Sequence, residues 1–262
     1  MRSSALPLLL VLVLAAGCAS VPDDSLVWSE RLARTLERES GEVVEVAGFS
    51  RLRSGDAPQP WEPWLIVPGN APTKYRLAEV DGVVALEAEG TEGGSGMTRN
   101  IRINPHTHPV IEWRWRVPAP EAGTPPLSVT SKASPMARLS LAFHGDPDKL
   151  DVEDRVKLRM AKALTVNGLP YASLLYVWMV NVPVDTVLHS PHTDRVRLIV
   201  AESGAQRAGQ WISVRRNVAE DFRRAFGEEP GDIVAVGLMT DHGDDGSRRR
   251  TFYGDITFRS AP

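Results

Sequence analysis

From Val110 to Val117 the chain reads Val-Ile-Glu-Trp-Arg-Trp-Arg-Val, and after the first residue apolar and charged side chains alternate without a break. A period of two is the mark of a β-strand with one face against a core and the other in water. It places Ile111, Trp113, Trp115 and Val117 on the inner side and Glu112, Arg114 and Arg116 on the outer side. One such strand cannot bury its apolar face alone, so it needs neighbours and a second layer.

The rest of the chain supplies them. Short runs broken by Gly, Pro and Asn predict strands at Val43–Phe49, Lys74–Val80, Val83–Glu89, Met97–Ile103 and Ala137–Phe143. Further runs fall at Leu174–Val180, Asp194–Ala201, Trp211–Arg215, Ile233–Met239 and Thr251–Arg259. So many strands in one chain predict a mainly β protein: two packed antiparallel sheets, a sandwich or jelly roll, over residues 42–262. Two or three short helices are expected at its periphery. Trp28, Leu32, Ala33 and Leu36 share a helical face, giving a packing helix over residues 26–41 that stops at Gly41. Asp151 caps a second helix whose apolar face is Val152, Val156, Met160 and Ala163. Asn217 caps a third, with Glu220 three residues on and Gly227 as its stop.

The N-terminus predicts an address. Arg2, the apolar stretch Leu8–Leu14 and the small residues Ala15, Ala16 and Gly17 have the layout of a secretory signal peptide over residues 1–17. The segment is short for a membrane span, which takes roughly 20 apolar residues. Leu14-Ala15-Ala16-Gly17-Cys18 resembles the bacterial lipobox, and Cys18 is the sole cysteine of the chain. Cys18 is therefore expected to carry lipid, with residues 18–25 as a tether and a membrane as the first partner. No internal disulfide is possible, so the exported domain must rely on its core. Ala19, where Asp is the common inner-membrane retention signal, favours an outer-membrane location facing the periplasm. A formal charge of −3 leaves no basic surplus for a polyanion, which excludes nucleic acid as an expected partner.

Signatures of chemistry are sparse. Gly93-Gly94-Ser95-Gly96-Met97 lacks the last glycine of a nucleophile elbow and precedes a strand, and neither HExxH nor GxxxxGK occurs. Asp241, Asp244 and Asp245 crowd one polar loop and could hold a structural calcium ion, although their spacing is not that of the twelve-residue calcium loop and no other cofactor is called for. His106, His108 and the His192–Asp194 string offer zinc-type ligands on Pro-led turns. Glu112, Arg114, Arg138, Tyr176, Trp178 and Asp241 are the expected ligand-binding residues: aromatic faces stack on sugar rings and guanidinium groups recognise carboxylates.

Several of these residues also carry a resemblance. Pro60-Trp61-Glu62-Pro63, Tyr75-Arg76-Leu77, Trp113-Arg114-Trp115, Ala137-Arg138-Leu139 and Tyr176-Val177-Trp178 are among its pieces. So are Glu202-Ser203-Gly204, Trp211, Asp221-Phe222 with Phe226-Gly227, and Met239-Thr240-Asp241. Over about residues 60–258 the chain resembles domain of unknown function 3047, a bacterial exported family. That family usually has an acidic pair where this chain has Ser134-Pro135, and a second Asp where it has Gly243. The resemblance implies export and a β fold and brings no activity with it. Three functions are then in play. A non-catalytic envelope module that binds a glycan or another envelope ligand leads. A glycan hydrolase or lyase using two of Glu112, Glu202 and Asp241 is the enzymatic alternative, and a structural or assembly protein of the envelope is the third.

Overall fold

The computed structural model describes residues 28–65, 71–90, 95–119, 135–164, 169–191, 193–240 and 249–260. In chain order the elements are α1 (Trp28–Thr35), β1 (Val43–Ala47), β2 (Glu62–Leu65), β3 (Lys74–Val80), β4 (Val83–Gly90), β5 (Ser95–Ile103) and β6 (Val110–Arg116). There follow β7 (Ala137–Phe143), α2 (Val152–Leu164), β8 (Ala172–Met179), β9 (Val187–His189), β10 (Val196–Ser203), β11 (Ile212–Asn217), α3 (Val218–Phe226), β12 (Ile233–Met239) and β13 (Arg249–Arg259). The strands form two sheets. One has six strands in the order β11-β6-β13-β4-β3, with β1 paired to the C-terminal part of β13. The other has seven, β2-β5-β12-β7-β8-β10-β9.

The sheets pack face to face, and the alternation read from the sequence is what fills the space between them. Ile111, Trp113 and Trp115 on β6 are buried together with Leu139, Leu141 and Phe143 on β7. Aromatic rings join the layers: Trp113 lies 5.0 Å from Tyr176, and Trp115 lies 6.1 Å from Trp178, centroid to centroid. Spacings of this kind contribute beyond area burial alone.

Four features depart from the sequence reading. α1 ends at Thr35 and not at Gly41. β8 and β10 pair in parallel, because the short β9 takes the sheet edge and β10, antiparallel to β9, fills the place between β9 and β8. β2 and β9 are too short and too poorly alternating to stand out as strands. α2 is rotated from the expected orientation: Val152, Val156 and Met160 are exposed, while Asp154 and Leu158 are buried. Asp154 points inward because it accepts a hydrogen bond from the Thr193 hydroxyl at 3.2 Å, and Leu158, one turn on, joins the core.

The other two helices fasten the ends. α1 is followed by Arg38, which with Arg102 grips the buried Asp232 carboxylate at 2.8 and 2.7 Å. α3 carries the chain from the six-stranded sheet to the seven-stranded one, capped by Asn217 at its start and by Gly227, at a φ of 73°, at its end. Its Phe222 stacks 4.5 Å from Phe143.

Candidate functional site

Of the expected ligand-binding residues that are described, Glu112 and Arg114 come together and the others stand apart. Tyr176 and Trp178 are fully buried between the sheets, where no ligand reaches them. Their shared face is the core face of β8, and each polar atom is already engaged: the Tyr176 hydroxyl donates to Asp221 at 2.9 Å and the Trp178 indole N–H donates to the Gly204 carbonyl at 2.9 Å. Arg138 stands on β7 of the seven-stranded sheet, opposite Met239 and Val177. Glu112 and Arg114 stand on β6 of the other sheet. Asp241, Asp244 and Asp245, the calcium candidates, lie outside the described residues, as do Cys18 and His192. Among the described residues no three His, Cys, Asp or Glu side chains are grouped to hold a metal. His106 Nε2 sits 3.0 Å from the Pro230 carbonyl and His108 Nε2 2.6 Å from that of Gly41, so both rings fasten turns. Asp194 is paired with Arg197 at 3.1 Å.

Of the carboxylates in the enzymatic alternative, Glu112 and Glu202 stand on different sheets, and Asp241 lies outside the described residues. Glu112, on the six-stranded sheet, lies between Arg259 at 2.6 Å and Arg215 at 3.2 Å. Glu202, on β10 of the seven-stranded sheet, is buried against Arg207 at 2.6 Å. A general acid is typically set in an apolar pocket that favours its proton, and both of these carboxylates instead face guanidinium groups.

What the structure does bring together is a patch on the outer face of the six-stranded sheet. The register sets Ser213 opposite Arg114 and Arg215 opposite Glu112 across β11 and β6, with Thr257 of β13 on the other side of Glu112. These residues and Asp255 line an open concavity of about 280 Å³. Asp255 enters through an irregularity in β13 between Tyr253 and Ile256, and it is held by the Ser50 backbone N–H at 2.9 Å and by the Ser50 hydroxyl. Gly254, in the same irregularity, matters by its lack of a side chain: a Cβ there would come within 2.5 Å of Arg114 Cγ. The Arg114 stem lies across this gap and carries its guanidinium 4.9 Å above the Trp211 ring. Among the described residues that guanidinium has no hydrogen bond and no carboxylate partner. The charged side chains that line it balance, Arg114 and Arg215 against Glu112 and Asp255, and Arg259 reaches Glu112 from the rim.

Beside it, at the start of α3, lies a second polar group. The buried Asp221 carboxylate takes two hydrogen bonds from Arg216, at 2.7 and 2.8 Å, one from Arg224 at 3.1 Å and one from Tyr176. Burial, and then the Asp221 charge, push the Tyr176 hydroxyl well above the usual tyrosine range. The hydrogen bond to Asp221 raises Arg216 above its already high value. This network fastens α3 to both sheets.

Sequence reasoning found Glu112 and Arg114 and missed Arg215, Asp255 and the use of Trp211. The signal for Trp211 was its place at the head of a strand with Ser213 and Arg215 at period two. Which strand it pairs with was not readable. A further partly exposed aromatic, Trp64, lies on the outer face of the opposite sheet, its ring 3.6 Å from where a Cβ would stand on either Gly96 or Gly237.

Fold and site together define a class: a two-sheet β-sandwich with an open, charged sheet face beside a tryptophan. The chain belongs to the family described as protein of unknown function (DUF3047), whose model matches residues 59–257. Among solved structures it is similar to a xylan-binding module, CBM15, at 12% identity and a TM-score of 0.36, over 85% of this chain and 98% of that one. Comparison with curated proteins gives no match.

Proposed function

We propose that this protein is a cell-envelope lipoprotein, held by lipid on Cys18 to the outer membrane and facing the periplasm, whose sandwich is a non-catalytic glycan-binding module. The binding surface is the outer face of the six-stranded sheet around Arg114. One observation carries the reading: the Arg114 guanidinium lines an open concavity, lies over the Trp211 ring beside it, and has no carboxylate partner among the described residues. A pyranose presents an apolar ring face, which suits an aromatic neighbour, and a rim of hydroxyls, which suits Ser213, Thr257 and the Glu112–Arg215 pair. Arg114, which has no carboxylate partner among the described residues, favours a sugar that bears a carboxylate, because guanidinium recognises that group through two parallel hydrogen bonds.

The test is a glycan array probed with the purified lipoprotein and its Trp211→Ala and Arg114→Gln variants. The reading expects binding to uronate-containing glycans and an affinity loss of about tenfold or more in each variant, with unchanged melting. An array on which nothing binds, or binding that both variants keep, overturns it. Labelling with a radioactive fatty acid tests the anchor separately: wild type takes up label and Cys18→Ser does not.

A further inference from the structure

We infer that α2 lies on the surface of the lipid bilayer, its exposed apolar stripe in contact with lipid. The inference rests on the reading of Cys18 as a lipid anchor and is independent of the glycan site. Val152, Val156 and Met160 are 69, 46 and 58% exposed. They are four residues apart, so they form one stripe along the helix. They are also half of the six large hydrophobic side chains that stand exposed among the described residues. A contiguous apolar stripe on a protein surface marks an interaction site.

Two observations choose a membrane as the occupant. The helix sequence carries Arg155, Lys157, Arg159 and Lys162 against Glu153 and Asp154, a cationic surplus in a chain whose formal charge is −3. Apolar residues with Lys and Arg beside them are the composition of helices that settle about 5 to 10 Å into the headgroup boundary of anionic bilayers. The second observation is position. A chain of hydrogen bonds runs from α2 to the residue where the tether meets the fold: Thr193 donates to Asp154, the Arg195 N–H to the Thr193 hydroxyl, Arg195 Nε to the Tyr171 carbonyl, and the Tyr171 N–H to the Ser29 hydroxyl. α2 and the start of α1 therefore share one end of the molecule. From Cys18 to Trp28 the chain spans at most about 35 Å, so lipid on Cys18 holds that same end near the bilayer.

The experiment uses the lipidated protein in vesicles of phosphatidylethanolamine and phosphatidylglycerol, with an environment-sensitive fluorophore on Met160→Cys. A second protein carries it on Val184→Cys, an exposed site beyond the opposite end of β8. Cys18 is blocked by its lipid, so each protein takes one label. The expected result is quenching of the Met160 label by a lipid-borne quencher, with the Val184 label unaffected. If the protein fails to stay with the vesicles, the anchor reading falls and the inference with it. If it stays and the two labels are equally open to an aqueous quencher, the anchor stands and the inference is overturned. Shielding of the Met160 label from water without quenching from lipid overturns it as well, because a protein then covers the helix.

Discussion

Tyr176 is the residue at which a functional expectation became a structural fact. Its hydroxyl is buried on Asp221, and its folded-state pKa lies above that of the unfolded chain. A raised pKa contributes stability that is complete below the unfolded value, near 10, and is lost as pH rises through the folded one. Urea unfolding should therefore show wild type losing stability between about pH 9 and pH 11, and Tyr176→Phe losing less over the same interval. At neutral pH that variant should cost about 1 kcal/mol. Asp221→Ala should cost more, about 3 to 5 kcal/mol, because it takes a shared carboxylate from Arg216, Arg224 and Tyr176 at once and leaves the largely buried Arg216 with Asp185 alone. The misreading of Tyr176 and Trp178 has a plain cause. Alternation says that Tyr176 and Trp178 share a face, and it does not say which face is dry. On β8 Val177, pointing the other way, is fully buried too. β6 was easier, because its outer face carries three charged residues in a row.

At the scale of elements, turns and helix ends make separable predictions. Gly231 precedes β12, and a Cβ there would overlap the His144 carbonyl, which cannot move without disturbing the backbone. Gly227 ends α3 at a φ of 73° with open space around it. Gly231→Ala should therefore destabilise by about 3 kcal/mol, and Gly227→Ala by about 1 kcal/mol, the cost of a left-handed residue. Chemical denaturation of the two variants orders them. Eleven strands and the three helices among the described residues were legible, because their periods are local properties, although α1 ends at Thr35 rather than at Gly41. α2 shows the limit: Val152, Val156 and Met160 do form a stripe, but a buried Asp154 with a hydrogen-bond partner far along the chain turned the opposite side inward. The candidate site was half legible for the same reason. Glu112 and Arg114 lie in one alternating run. Trp211 and Arg215 reach them only through a distant β6–β11 pairing, and Asp255 through an irregularity in β13 that no local pattern announces.

Taken whole, the molecule is a sandwich whose two outer faces differ. The six-stranded sheet presents the concavity around Arg114, and the seven-stranded sheet presents Trp64 lying over Gly96 and Gly237. Its lone cysteine allows no internal disulfide, so a reducing agent should leave the thermal midpoint of the purified protein unchanged. Among the described residues no helix is long and apolar enough to cross a membrane. The claim on which the account turns is that glycan binds the six-stranded face. It is tested most directly by recording the indole N–H resonances of the seven tryptophans while an oligouronide is added. Glycan bound to that face shifts the Trp211 signal to saturation while the buried Trp113, Trp115 and Trp178 signals stay in place. A titration that moves Trp64 and leaves Trp211 still, or one that moves none of the seven, would contradict the claim.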